Sequence, residues 1–455
     1  MKTSVMLTSV LASASLLASP KVSNVTMTQD PYTRVVTVTY NLADEDAIIT
    51  LDITTNGVSI GAENIYCCDG DVNRKVTAGA DKKQLTWNPN KSWSGHKITD
   101  KSVRAVVKAW SLDVPPDYMV VDLTGTVSPR FYTCEAALPG GLLSNDYYRT
   151  TAMVMRRIPA EGVTWTMGNT KNEIGAYNDG REWPHTVTMD HDYYIGVFEM
   201  TQGQYYHAVG AKHYKNASDM TQDQFDEVDW MRRPLDCVRY VEIRNTVTPY
   251  KYQSGFTAYD YPATPKEDSI VGCHYKKTGI AFDLPGEAEW EFACRAGTPE
   301  GYWNNGKMIL SSSSADDNLP ARYSFGKGNP VEGDENYGVE DRHKWTPANG
   351  TAVVGMSSAP NAWGLYDMHG NVWEWCNDFW LQDLSTIKDY ITHGETNANG
   401  ANYLNGTKAS DRYRVRRGGA WSWTPQYCRS GHRNYEGQYS KENIGLRLVC
   451  PVRIP

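Results

Sequence analysis

Hydrophobic and polar residues alternate along three early stretches of the chain. In VVTVTYNL, Val36, Val38, Tyr40 and Leu42 share one face. IITLDITTNG does the same with Ile49, Leu51 and Ile53, and stops at the Asn56–Gly57 turn pair. SVRAVVKAW adds Val103, Ala105, Val107 and Ala109. Alternation in short runs broken by turn residues predicts antiparallel strands. Together they predict an all-β sandwich of the immunoglobulin or fibronectin kind over residues 20–127. Ahead of it, MKTSVMLTSVLASASLLASP places Lys2 before an uncharged apolar stretch that ends in small residues. That is the layout of a secretory signal over residues 1–19, too short to span a bilayer. No later stretch is long and apolar enough for a membrane span, so the expected location is exported: periplasmic, secreted or cell surface.

After Pro115–Pro116, a pair that favours extended backbone, the pattern weakens. Residues 128–152, with the turn-prone LPGGLLSND, read as a connector. Helical signals appear beyond Met153. In FEMTQGQYYHAVG, Thr201 stands where an N-cap belongs, and the helix ends near Gly210. LPGEAEWEFACRAG predicts a second helix, with Gly286 at its start, Glu287 and Glu289 favouring its positive end, and Gly297 at its exit. Residues 311–350, which open on SSSS, are rich in Gly, Asn, Asp and Pro and read as a long loop.

Composition narrows the chemistry. The net charge is -8, and no basic cluster is longer than Arg414–Arg417, which excludes nucleic acid as a partner. Tyr 29 and Trp 15 against Phe 8 suits a loop-rich core, or a wet groove for sugar or peptide. Nine cysteines in an exported protein predict pairing with at least one left over. There is no CxxC for finger-type zinc, and a bond between the adjacent Cys67 and Cys68 would be strained. His185, His191 and His369 stand in no HExxH or facial-triad pattern, and the chain has no GxSxG elbow and no phosphate loop. DMHGNVWE offers the carboxylates of Asp367 and Glu374 around a turn at Gly370, an oxygen-rich set suited to calcium. The alternative is that both acids accept hydrogen bonds from tryptophan N–H groups and backbone amides in a packed core.

TWTMGNT, PHTVTMDHDYYIGVFEMTQGQY, LPGEAEWEFACRAG, NAWGLYDMHGNVWEWCNDFW, RVRRGGAW and NIGLRLVC follow one another in that order. The set resembles the formylglycine-generating enzyme (sulfatase-modifying factor) family across the last two-thirds of the chain. The resemblance implies an α+β fold related to C-type lectins over residues 153–455. It also implies an activity, the copper- and oxygen-dependent oxidation of a cysteine in a sulfatase CxPxR segment. In that family two thiols hold the copper, a soft-metal role. Here Gly418, Gly419, Trp421 and Cys428 match the motif, but Ala420 replaces its serine and Trp423 its first thiol. Tryptophan offers no lone pair to a metal and alanine no hydroxyl, so copper is not expected.

The expectation is therefore a divergent, calcium-stabilised member binding a peptide segment of another protein or a glycan, with Trp373, Trp421 and Trp423 lining the groove. The alternative is a formylglycine-generating oxidase using Cys428 as its catalytic thiol. The family's calcium positions map to Asp367, Gly370, Val372 and Glu374, and half of a second site to Asn318 and Leu319. Cys428 is either paired, with Cys376 as the preferred partner, or a reactive thiol beside Arg429. The family also implies a Cys294–Cys450 pair.

Overall fold

The computed structural model describes residues 19–96, 102–125, 127–169, 176–213, 230–244, 265–301, 351–356, 359–385, 389–391, 410–423, 425–437 and 443–453. Residues 1–18, with most of the expected signal, the stretch 311–350 expected to be a loop, and Asn318 and Leu319 lie outside them. The chain divides into two compact units, Met1–Leu112 and Asp113–Pro455.

In the first unit, one antiparallel sheet runs in the order Lys21–Gln29, Val36–Ala43, Gly79–Trp87 and Cys68–Gly70. In the second sheet, Ala47–Thr55 pairs with Val58–Ser59, Arg74–Val76 and Arg104–Trp110. Val36, Val38, Tyr40 and Leu42 are all buried and meet Ile49, Ile53 and Val107 in a single core. Asn56 and Gly57 both take positive φ, 50° and 78°, the backbone a two-residue hairpin demands. Ile48 is buried as well as Ile49, so this strand is covered on both faces at its start and departs from simple alternation.

The strand Tyr118–Asp122, which falls within the expected 20–127 domain, belongs instead to the second unit, where it pairs with Ala152–Ile158. Residues 128–152 are likewise more than a connector: Arg130–Tyr132 forms the edge of the same sheet and Tyr147–Thr150 a short helix. An apolar run specifies a strand, but its partner is chosen by packing across the domain.

The second unit is α+β. A five-stranded antiparallel sheet runs Arg130–Tyr132, Tyr118–Asp122, Ala152–Ile158, Tyr193–Gly196 and Val449–Pro451. Thr164–Met167, His185–Thr188 and Asp389–Ile391 form a three-stranded sheet. A third sheet runs Asn434–Gly437, Ser410–Arg417, Trp373–Trp380 and Ile444–Gly445, the last pair parallel. Among the described residues, no helix is long and apolar enough to cross a membrane.

Both sequence-expected helices are present. Gln202–Val209 starts in a capping box: Thr201 Oγ1 accepts from Gln204 N (3.1 Å) and Gln204 Oε1 accepts from Thr201 N (2.9 Å). Glu287–Arg295 is capped by Glu289 Oε2, which accepts from Gly286 N, and by Asp378 Oδ2, which accepts from Glu287 N, both at 2.6 Å. It ends on Ala296 at φ 46°, one residue before the expected glycine. Trp290 and Cys294 face the core of this unit.

His191 fastens that helix to the start of the Tyr193–Gly196 strand. Its Nε2 lies 2.9 Å from Glu289 Oε1 and its Nδ1 2.5 Å from Asp190 Oδ1. Burial works against the charged ring, but the hydrogen bonds and charges of Glu289 and Asp190 prevail and raise its pKa from 6.5 to about 9. A raised folded pKa means that the stabilisation is complete below pH 6.5 and is lost as pH rises through about 9. His191→Gln should cost about 1–2 kcal/mol at pH 6, discounted for partial exposure, and little at pH 10. Urea unfolding at the two pH values measures it; an equal cost at both would remove the charge from the account.

Candidate functional site

The stretch RRGGAWSWTPQYC carries the Ser410–Arg417 strand into a turn that must be glycine. Gly418 and Gly419 have φ 91° and 76°, and a Cβ on Gly419 would lie 2.5 Å from Cys428 Sγ. Trp421 N then donates to Asn371 O, and Trp423 N to Ala420 O, each at 2.9 Å. The helical turn Pro425–Cys428 follows.

This turn assembles a two-layered stack of rings. The inner pair, Trp373 and His432, is fully buried; the outer pair, Trp423 and Tyr427, is half-buried. Trp423 meets Trp373 edge-on at 5.6 Å between centroids and Tyr427 at 4.8 Å. Tyr427 meets His432 at 5.1 Å, and Trp373 lies 5.8 Å from His432. Half-buried Tyr177 adds a fifth ring, 5.7 Å from His432, with Tyr427 beside its hydroxyl. The Arg416 guanidinium lies over Trp373 (4.7 Å) and Trp423 (5.4 Å), a cation–π arrangement.

Beneath the rings, Glu182 receives both Nη atoms of Arg429 at 3.0 Å. Its Oε1 also lies 3.2 Å from His432 Nδ1, within ionic reach though off the line of a well-formed hydrogen bond. Burial opposes ionisation of Glu182, but His432 and Arg429 outweigh it and hold the carboxyl below its ordinary range. Burial pushes His432 down to about 4, with Arg429 and Arg417 adding repulsion, so its ring is neutral at physiological pH. Among the described residues, Trp373 Nε1 and both ring nitrogens of His432 make no hydrogen bond.

Cys428 is fully buried, and that burial raises its thiol pKa well above 9 despite Arg429. Arg429 cannot serve it as an activating charge, being bound to Glu182 and to Gln426 O. The reactive-thiol alternative for Cys428 thus meets a buried thiol whose neighbouring guanidinium is already bonded. All nine cysteines are free thiols, so neither Cys376–Cys428 nor Cys294–Cys450 is formed. Cys428 sits against the Gly419 backbone, while Cys376 has Glu287 and Asp378 as its charged neighbours. Cys294 faces Ser430 Oγ (3.6 Å) and His369, and Cys450 sits opposite Tyr194 in the outer strand. Of the three tryptophans expected to line a groove, Trp373 and Trp421 are buried; Trp423 alone reaches the surface.

The DMHGNVWE loop turns through left-handed Asp367, Gly370 and Asn371. Glu374 accepts from Arg447 Nη2 (2.8 Å) and Nε (3.0 Å) and from Trp290 Nε1 (2.6 Å), while Asp367 Oδ2 accepts from Gly355 N (2.6 Å). These are the tryptophan and amide bonds of the packed-core alternative. Glu199, which sequence reasoning passed over, accepts from Asn371 Nδ2 (2.5 Å) and Val372 N (3.1 Å). Burial, then the charges of Asp367 and Glu374, raise its pKa well above the usual carboxylate range. Among the described residues, no three His, Cys, Asp or Glu side chains are gathered as a metal cage. His185 hydrogen-bonds Trp183 O (2.9 Å) and His369 hydrogen-bonds Cys428 O (2.8 Å), both structural roles.

A separate cleft of about 490 Å³ is lined by Trp165, Pro184, Phe292 and Pro299 with Arg295. Arg295 already binds Glu291 and Gly168 O, so the cleft presents no spare charge.

Sequence reasoning also missed Arg447, Glu182, His432, Tyr177 and Tyr427. One signal was available: Glu199 interrupts the apolar run YYIGVFEM, and a lone acid in a buried strand needs a partner.

The second unit is thus an irregular α+β domain with its site at a glycine turn beside a sheet. The profile of the Sulfatase-modifying factor enzyme 1-like domain matches residues 148–452, and the chain belongs to that family. It is 23% identical to the formylglycine-generating enzyme of Mus musculus over 335 residues, covering 70% of this chain and 80% of that one. It is 26% identical to the chaperone protein LppX of Paenibacillus barcinonensis over 292 residues, 62% of this chain and 86% of that one. Among solved structures, Treponema denticola variable protein 1 aligns with TM-score 0.42 at 22% identity, covering 66% of this chain and 95% of that one. PvdO from Pseudomonas aeruginosa aligns with TM-score 0.43 at 24% identity, covering 66% and 94%.

Proposed function

We propose that this chain is an exported, catalytically divergent member of its family that binds a peptide segment of another protein or a glycan at Trp423, Tyr427 and Tyr177. The observation that carries the reading is Trp423. It stands where the family resemblance puts a copper thiol and packs edge-on against Tyr427 and Trp373, while the remaining thiol, Cys428, is sealed from solvent. A fold does not keep its chemistry when the site residues change. On this reading the first unit is an immunoglobulin- or fibronectin-like sandwich that spaces or docks a C-type-lectin-like binding domain, and the uncharged stretch before residue 19 is its export signal. Incubated with copper and oxygen, a CxPxR peptide should keep its thiol mass; conversion to an aldehyde would restore the oxidase reading. Trp423→Ala should weaken ligand binding about tenfold and leave the fold intact, because its ring is half-exposed.

Calcium belongs to the same proposal. Glu199, Asp367 and Glu374 are buried close together, and Arg447 is committed to Glu374. A divalent cation held by Asp367 with the Gly370 and Val372 carbonyls would offset the remaining negative charge; Glu374 is the least available of the four. Chelator should lower the melting temperature by about 5 °C in the native protein and by nothing in Asp367→Ala. No shift in either would mean that a proton on Glu199 balances the cluster instead.

A further inference from the structure

Among the described residues, three ring nitrogens of the stack, Trp373 Nε1 and both of His432, make no hydrogen bond, and of these His432 Nδ1 has the Glu182 carboxylate beside it. Trp373 Nε1 is a donor only. His432 is neutral and its Nδ1 faces the Glu182 carboxylate, which draws the ring proton to that nitrogen and leaves Nε2 an acceptor. A buried donor and a buried acceptor therefore stand without partners on adjacent rings, 5.8 Å between centroids. Native interiors rarely leave such atoms unpaired, and those that remain call for a bound partner.

The surroundings narrow the partner's chemistry. An acceptor-only group such as a carboxylate or phosphate would meet the lone pair of His432 Nε2 and be repelled, and the Arg416 guanidinium beside the rings already faces the Glu436 carboxylate (3.5 Å). Among the described residues a cation finds no uncompensated carboxylate beside the rings, since Glu182 is matched by Arg429 at two contacts of 3.0 Å. A hydroxyl both donates and accepts, and so suits both nitrogens. The outer layer adds the half-exposed faces of Trp423 and Tyr427, with Tyr177 beside them. Flat aromatic surfaces of this kind take up the C–H faces of sugar rings while their polar edges remain wet.

We propose that the ligand is a neutral glycan, whose hydroxyls accept from Trp373 Nε1 and donate to His432 Nε2 while its rings pack on Trp423 and Tyr427. The inference rests on the reading of Trp423 as a binding residue and narrows that reading to carbohydrate. Trp423 packs edge-on against Trp373 and Tyr427 edge-on against His432, so both rings must shift for a sugar hydroxyl to reach the buried nitrogens. A site built to hydrogen-bond hydroxyls also discriminates strongly against analogues that lack them.

The test titrates the full chain with neutral cello-, malto-, xylo- and chito-oligosaccharides and follows tryptophan fluorescence. One series should saturate, with affinity reduced about tenfold or more in Trp423→Ala and in Tyr427→Ala, two half-exposed positions whose loss leaves the core in place. His432→Gln, which keeps a polar edge, should weaken the same sugar, and a deoxy analogue should bind about tenfold less well. Absence of saturation across all four series, or saturation indifferent to Trp423→Ala, overturns the proposal. A parallel titration with neutral ten-residue peptides separates the two readings. Trp423-dependent peptide binding without sugar binding sinks the glycan and leaves the binding function standing. Failure of both sinks both.

Discussion

Arg447→Met is expected to destabilise the protein by about 3–5 kcal/mol. Arg447 is completely buried, and its guanidinium makes one of the most heavily bonded contacts in the domain. Beyond the Glu374 carboxylate, Nη1 donates to Gly196 O (2.9 Å) and Val197 O (3.0 Å), and Nη2 to Tyr366 O (2.8 Å). One side chain thus joins the Tyr193–Gly196 strand, the loop before Asp367 and the Trp373–Trp380 strand. Methionine keeps the bulk but supplies no donor, so Gly196 O, Tyr366 O and the Glu374 carboxylate lose their guanidinium bonds in an apolar interior, where each unpaired group costs about 1–3 kcal/mol. Val197 O keeps Tyr366 N (3.0 Å) and Glu374 keeps Trp290 Nε1 (2.6 Å). The loss should also fall on Glu199, which Arg447, together with the Val372 N–H bond, helps to ionise. Urea unfolding gives the figure. A loss below about 1 kcal/mol would mean that the carboxylate takes a proton at little cost. The double change Arg447→Met with Glu374→Gln should cost less than the sum of the two, because each single change abandons the other's partner.

Glu291→Ala is the second large effect, again about 3–5 kcal/mol. Glu291 is wholly buried on the Glu287–Arg295 helix and accepts from Arg295 Nε (2.8 Å), Gly168 N (2.9 Å) and Arg417 Nη2. Alanine would leave two guanidinium groups and one amide facing a cavity. Burial alone would raise the carboxyl, but Arg295 and Arg417 outweigh it and lower its pKa below 4.5. A depressed folded pKa means that the stabilisation is present above pH 4.5 and is lost as pH falls through the lower folded value. The gap between native protein and Glu291→Ala should therefore be widest near neutrality and close in acid. A gap independent of pH would assign the loss to the cavity alone.

Much of the fold was legible in the chain. The alternation at Val36–Leu42 names the face that is buried, because the strand's period of two leaves no other choice. Thr201 with Gln204 at the third helical position writes out a capping box. Gly418 and Gly419 announce a turn that side chains would block. The acids were harder to read. Glu287 read as a helix-dipole residue, yet it is sealed and bonded to Arg433 through both oxygens, at 2.5 and 2.7 Å. Nothing local separates a solvated first-turn glutamate from a buried one; the partner lies 146 residues away.

By itself the sequence determined the period and ends of the elements, the family, and a tryptophan at position 423 where the family resemblance puts a thiol. Each of these depends on residues within a few positions of one another, or on a motif spelled out along the chain. Tertiary structure decided that Tyr118–Asp122 joins the second unit, that Cys428 is sealed and unpaired, and that Trp373 and Trp421 lie inside while Trp423 reaches the surface. It also brought His432 beneath Tyr427 and across from Glu182. These outcomes depend on which distant groups exclude water from one another, and burial and charge pairing are properties of the packed interior.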